Sequence, residues 1–227
     1  MLKPKKKITR QEIKKDPVLE WIAKAENYIR ENGKLLSYVA LGVVVVAVVS
    51  VLLMRSKRTA NLEAAGKLGI AEMALTRGDY ENALIQLEDL VDTYKGTRSA
   101  DIATLLLAQT HLDQGEYESA EGYFRDYIDA RGADPLMLAS AYNGLGICAE
   151  NHDDMEGAAA YFAKAAGKAT YKFQEHEYGI NQARSLIKLG KIAEAESLVQ
   201  HLLEDEPEYQ NRNVLERLSA RISVLKG

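Results

Sequence analysis

The side chains best suited to chemistry are the histidines, and their spacing does not favour a catalytic or metal site. The chain has four of them: His111, His152, His176 and His201. None has a second ligand at the helical spacing that zinc sites use. His176 lies between Glu175 and Glu177, but adjacent residues on a helix point in different directions and do not converge on one ion. His111 falls at a core-facing position, so we interpret it as a packed histidine.

Motifs for nucleophilic or nucleotide chemistry are absent as well. The sequence contains no G-x-S-x-G, no P-loop and no G-x-G-x-x-G. Carboxylates such as Asp79, Glu116 and Asp154 lie near turns, where solvated surface is their usual role. We therefore expect no catalytic residue, no cofactor and no metal ligand, and we interpret the chain as a binding protein and not an enzyme.

A single cysteine, Cys148, rules out an internal disulfide, so the fold must rely on a hydrophobic core. A reactive or pairing thiol is one interpretation. The surrounding Gly-Ile-Cys-Ala run favours the other, a small buried core residue.

Charge is distributed unevenly along the chain. Residues 1–34 carry ten Lys and Arg against five acids, a net charge of +5, whereas residues 55–227 carry a net charge of −9. Nucleic acid is not the expected partner of so acidic a body, because phosphate contacts need a basic surface. The different charges predict different surroundings for the two parts.

An uncharged run of 20 residues, Leu35 to Met54, lies between these parts. A helix of this length spans roughly 30 Å, the thickness of a bilayer's hydrocarbon core. We therefore predict a transmembrane helix over residues 34–55. A cleaved signal peptide has a shorter apolar stretch and a small neutral cleavage site, whereas this run ends in Arg55-Ser56-Lys57-Arg58. We expect an uncleaved anchor.

The segments before the span predict a basic, disordered tail over residues 1–16 and an amphipathic helix over residues 17–33. Trp21 and Ile22 lie on the apolar face of that helix, which could rest on the membrane surface or dock on a partner. Ten basic residues precede the span and four lie in the 20 residues after it. This bias predicts a cytoplasmic N-terminus and a repeat domain on the other side of the membrane.

Residues 59–227 contain an internal repeat. Four alanines, 37, 38 and 37 residues apart, mark it: Ala83, Ala120, Ala158 and Ala195. A turn residue lies five positions before each alanine: Gly78, Gly115, Asp153 and Gly190. A small residue lies twelve positions before: Ala71, Ala108, Gly146 and Ala183. A large apolar residue lies four positions after: Leu87, Phe124, Phe162 and Val199.

This spacing predicts pairs of antiparallel helices. Small residues let the two helices approach closely, and the turn residue ends the first helix in the left-handed conformation. The pattern resembles the tetratricopeptide repeat family. It implies an all-α fold: one transmembrane helix, then an α-solenoid of about four helix pairs with a capping helix near residues 209–225. An unrelated helical bundle is the alternative.

First helices of such solenoids line a concave groove, which is the expected site for a protein partner. Counting from the repeat positions, we predict its residues as Glu72, Leu105, Gln109, Asn143, Ile147, Asn181, Arg184 and Lys188. Central amides and a basic end suit an extended peptide and its carboxylate. Ordinary solvated helix surface is the alternative interpretation of each residue.

Two stretches carry a further resemblance: Glu31-Asn32-Gly33-Lys34 at the start of the span, and Thr97 through Ala120 with its Leu-Leu-Leu-Ala-Gln run. Together they resemble the YfgM-like family of ancillary subunits of the bacterial Sec translocon, over residues 21–200. The resemblance implies a single-pass inner-membrane protein with periplasmic repeats. Its implied partners are the SecYEG channel and a membrane-anchored periplasmic chaperone of the prolyl-isomerase type. An adaptor in another secretion, division or outer-membrane assembly complex, and a regulator with cytoplasmic repeats, are the alternatives.

Overall fold

A computed structural model describes residues 17–130, 133–205 and 212–226, and these are helical throughout apart from short turns. The chain divides into two compact units, residues 1–58 and 59–227. The described helices are α1 (Pro17–Thr76), α2 (Tyr80–Thr93), α3 (Arg98–Asp113), α4 (Tyr117–Asp129), α5 (Pro135–Asn151), α6 (Met155–Lys168), α7 (Lys172–Lys188), α8 (Ile192–Asp205) and α9 (Arg212–Lys226). The all-α prediction is confirmed for these residues. The predicted tail, residues 1–16, lies outside them.

The first unit contains the apolar part of α1. Within the described residues, α1 is the one helix whose length and composition allow it to cross a membrane. Its apolar side chains face outward, and Val46, for example, is 66% exposed. The hydroxyl of Ser50 donates to the carbonyl oxygen of Val46 at 2.7 Å, so the helix satisfies this polar group within its own backbone. Asn32 interrupts α1 with non-helical angles (φ −108°, ψ 17°), next to the predicted start of the span.

Among the described residues of the second unit are four helix pairs and a final helix. The pairs are residues 59–76 of α1 with α2, α3 with α4, α5 with α6, and α7 with α8, followed by α9. From α2 onward each helix packs on the next, and α3 also contacts α5 while α7 contacts α9. This order is that of an α-solenoid, in which every repeat contacts mainly its neighbours.

The turns within the four pairs share one geometry. Gly78, Gly115 and Gly190 have φ of 77°, 78° and 74°, and Asp153 has φ of 60°. At each turn the residue after it donates its N–H to a carbonyl five residues back, as from Asp79 to Ala74 at 3.0 Å. This bond closes the first helix in a Schellman motif. The predicted left-handed turns are therefore confirmed.

The repeat positions also form the core. All four marker alanines are fully buried. The large residues that follow them are at most 1% exposed: Leu87, Phe124, Phe162 and Val199. A Cβ atom built on Gly146 would lie 2.5 Å from the ring of Phe162, so this close approach requires glycine. Cys148 is fully buried, and burial raises the pKa of its thiol to about 11. It is a core residue.

Candidate partner-binding groove

The first helices of the repeats line an open groove with a volume of about 390 Å³. Its lining residues come from α1, α3, α5 and the start of α7: Glu72, Ile102, Leu105, Leu106, Gln109, Leu136, Met137, Ser140, Tyr171, Phe173 and Gln174. We call this surface the apolar groove, because seven of its eleven residues are aliphatic or aromatic. All of them belong to the second unit.

Three predicted residues line the apolar groove: Glu72, Leu105 and Gln109. Leu105 is only 6% exposed, so it belongs to the floor of the groove. Glu72 and Gln109 are exposed and available to a ligand. The apolar groove therefore contains three of the predicted positions, but its lining is more apolar than the predicted amides and cations.

Sequence reasoning missed the aromatic rim of the apolar groove. Tyr171 and Phe173 are 52% and 54% exposed, and their rings stack with centroids 5.6 Å apart. Both lie where α7 begins, just as Leu136 and Met137 lie where α5 begins. The sequence therefore carried an apolar signal at the start of these two first helices. The repeat positions used for prediction lay further along each helix.

Three of the predicted residues form a hydrogen-bonded group, which we call the polar cluster. The Nδ2 of Asn181 donates to Oδ1 of Asn143 at 3.3 Å, which links α7 to α5. The Nη1 of Arg184 donates to Oδ1 of Asn181, also at 3.3 Å. Asn143 follows Ser140 of the apolar groove by one helical turn, so both lie on the same face of α5.

The remaining two predicted residues have structural contacts. Ile147 is half-buried and packs against the core cluster formed by Ala149, Ala158 and Phe162. The Nζ of Lys188 donates to Oε1 of Glu150 at 3.2 Å, and the hydroxyl of Ser185 donates to the same oxygen. The positive charge of Lys188 is thus paired, so the predicted basic end depends mainly on exposed Arg184.

Two of the described histidines, His111 and His176, lie in packed surroundings beside a carboxylate. Nδ1 of His111 lies 2.6 Å from Oε2 of Glu116, and its ring stacks on Tyr123. His176 is fully buried, with Nε2 3.5 Å from Oδ2 of Asp205, so it faces α8 and not its sequence neighbours. Over the described ranges, no three His, Cys, Asp or Glu side chains are grouped as metal ligands would be.

Solved structures similar to this chain include one of TPR-like repeats. A structure of Podosopora anserina putative kinesin light chain nearly identical TPR-like repeats is 15% identical, with 72% of this chain and 86% of that chain covered and a TM-score of 0.57. A MamA structure is 15% identical, with 72% and 87% covered and a TM-score of 0.55. A chain of the APC/C hetero-tetramer Cut9–Hcn1 is 20% identical, with 72% and 30% covered and a TM-score of 0.52. At these identities the likeness shows the fold alone.

The sequence comparisons give a family assignment. No curated protein sequence matches the chain. Residues 26–140, about half of the chain, match the tetratricopeptide repeat-like domain family. This range includes the apolar part of α1 and the helices through the start of α5. With the repeated turns, the buried alanines and the solenoid order of the helix pairs, it follows that the chain belongs to the tetratricopeptide repeat-like domain family.

Proposed function

We propose that the chain is a membrane-anchored, periplasm-facing scaffold that acts as an ancillary factor of the Sec translocon and links it to periplasmic chaperones. Tetratricopeptide-like repeats indicate a scaffold for protein–protein interaction. The observation that carries the proposal is the apolar groove, in a chain that also has a helix apolar enough to cross a membrane.

The chemistry of the apolar groove suits an apolar polypeptide segment. Tyr171 and Phe173 supply large exposed contact area with few rotatable bonds, which is typical of residues that dominate binding energy. Leu136 and Met137 continue this apolar surface on α5. Apolar segments become exposed when a chain is unfolded, and both a translocon and a chaperone handle such chains.

The polar cluster suits the backbone of the same ligand. Side-chain amides both donate and accept, so Asn143 and Asn181 could exchange their mutual hydrogen bond for bonds to a peptide. Arg184 is exposed and has no carboxylate within ion-pair distance among the described residues. It could bind a carboxylate of the partner.

The cellular assignment has separate support. The basic residues before the span favour a cytoplasmic N-terminus. Resemblance to the YfgM-like family supports the inner membrane, SecYEG and a chaperone of the prolyl-isomerase type as the setting.

Co-purification from gently solubilised membranes tests this function. The full-length chain should capture SecYEG and a periplasmic chaperone. Changing Tyr171→Ser together with Phe173→Ser should weaken chaperone capture roughly 10- to 100-fold, because two aromatic anchors are lost. Val224→Ser with Leu225→Ser is the matched control, since it removes exposed apolar surface from α9. Equal capture by both variants would show that the apolar groove is not the binding site.

The identity of the captured partner distinguishes the translocon function from the alternative, an adaptor in another envelope complex. Recovery of a different secretion, division or outer-membrane assembly complex would assign the chain to that complex.

Added protease should digest residues 59–227 in spheroplasts with an intact inner membrane. Protection of the repeats would overturn the periplasmic orientation.

A further inference from the structure

The helix α1 has an unpartnered apolar face within the second unit. Leu62, Ile70 and Met73 are 68%, 53% and 51% exposed. The opposite face of the same helix is buried, with Leu68 and Ala71 packed in the core formed with α2 and α3. When one face of a helix is buried in a domain, the opposite face normally carries charged and polar side chains. Here the outward face carries aliphatic side chains.

Two glycines lie on this face, and the fold of a single chain gives no reason for them. A Cβ atom added to Gly66 or to Gly69 would meet nothing within 4 Å. Glycine inside a helix is less favourable than alanine by roughly 0.5–1 kcal/mol. Close approach of a second helix is a condition that would favour glycine at both positions.

The face also has the spacing of a coiled-coil seam. Alternating steps of three and four residues connect its members, which are Thr59, Leu62, Gly66, Gly69, Met73 and Thr76. We call this set the α1 seam. All of its residues are exposed except Gly69, which is half-buried. In heptad terms they occupy the a and d positions that meet a partner helix.

The residues beside the α1 seam are complementary to a second, parallel copy. In a parallel pair, each g position lies opposite the e position five residues later on the other helix. Glu72 then faces Arg77, and Arg58 faces Glu63. Between these opposite charges, Ala65 faces Ile70, which is an apolar contact.

The charged groups beside the seam are exposed and available to a partner. Glu72 and Arg77 have no ion pair with any residue that the structure describes. Glu63 accepts one hydrogen bond from the hydroxyl of Tyr94 at 3.3 Å. The carboxylate of Glu63 keeps further acceptor sites for a cation.

We propose that the α1 seam binds the α1 seam of a second copy of this chain, forming a parallel two-stranded contact. The parallel direction rests on the membrane anchor of the proposed function. Two copies inserted into the membrane in the same orientation have α1 helices that run in the same direction. Anchoring also raises the effective concentration of one seam at the other, so a contact of only about five turns is sufficient.

Disulfide cross-linking of the full-length chain in its membrane tests the contact. Leu62→Cys and Met73→Cys should each give an oxidised dimer, because a parallel register places each position opposite itself. Asn61→Cys is the matched control, one residue away and also exposed, but pointing off the seam. We expect at least a tenfold difference in dimer fraction. The native Cys148 is buried and so gives no dimer of its own.

Two further substitutions separate the contact from folding. Gly66→Glu should reduce the Met73→Cys dimer at least tenfold, because it places two carboxylates in the seam, while the monomer remains folded because the site is open. Arg77→Glu should weaken the dimer roughly three- to tenfold, and adding Glu72→Arg should restore it.

Three outcomes would overturn the proposal. Equal dimer from Asn61→Cys and Leu62→Cys would mean random collision. A cross-link from Leu62→Cys to a protein of different mass would assign the face to another partner. Absence of any dimer would leave no contact between copies. Failure here is distinguishable from failure of the proposed function, because Tyr171→Ser with Phe173→Ser alters partner capture and leaves the α1 seam unchanged.

Discussion

Replacing Gly146 by alanine adds one methyl group where α5 packs on α6. The new Cβ would lie 2.5, 2.6 and 2.9 Å from three carbons of the Phe162 ring. Carbon atoms that are not bonded to each other do not approach this closely. Phe162 is fully buried, so its ring cannot move into solvent. Overpacking of this kind typically costs about 1–3 kcal/mol.

The same substitution also removes a glycine from a helix interior, which favours folding by about 1 kcal/mol. With the overpacking cost in the upper part of its range, we expect Gly146→Ala to be about 1–2 kcal/mol less stable than the wild type. For a domain of this size that corresponds to a melting temperature lower by about 2–8 °C.

Thermal unfolding of the full-length chain in mild detergent, followed by circular dichroism at 222 nm, measures this change. Gly122→Ala is the matched control: it also lies within a helix, but a Cβ there meets nothing within 4 Å. It should be stabilised by about 0.5–1 kcal/mol. The two identical substitutions should therefore shift the melting temperature in opposite directions.

A second substitution tests the cause. Phe162→Leu should cost less in the Gly146→Ala background than in the wild type, by about 1 kcal/mol, because a smaller side chain relieves the overlap. If Gly146→Ala proved as stable as Gly122→Ala, or if the two changes were additive, close packing at this crossing would not be the reason for glycine.

Two more predictions concern the turns and pH. Asp153→Gly should raise stability by about 0.5–1 kcal/mol, because Asp153 has φ of 60°, which glycine adopts more easily. Gly190→Ala should lower stability by about 1–2 kcal/mol for the converse reason. Unchanged melting temperatures in both variants would refute this. The Nζ of Lys172 donates to Asp205 at 2.7 Å, and this bond lowers the pKa of the Asp205 carboxyl. The stabilisation is therefore present above about pH 4 and is lost as pH falls through the lower folded-state pKa. Asp205→Asn should lower the melting temperature at pH 7, and this loss should shrink steadily as the pH is lowered below about 4. A loss of melting temperature that did not change with pH would contradict the ion pair.

The repeat architecture could be predicted from the sequence because its determinants are local. A left-handed turn requires glycine or a tolerant residue such as Asp153, whatever lies elsewhere in the chain. Helix pairs that pack closely require a small residue at a constant distance from that turn, as at Ala83 and Ala120. The uncharged run at residues 35–54 is likewise a property of composition alone.

Only the tertiary structure determined the composition of the groove. Ile102, Met137 and Phe173 lie on three different helices, and they share one surface because successive pairs stack at a particular rotation. That rotation depends on core side chains and loop lengths, which repeat spacing alone does not specify. The pairing of Lys188 with Glu150 of the preceding repeat has the same origin. Turns and helix faces follow from chain geometry within a few residues, whereas contacts between repeats depend on how whole helices cross, and that is set by the packing of all of their side chains together.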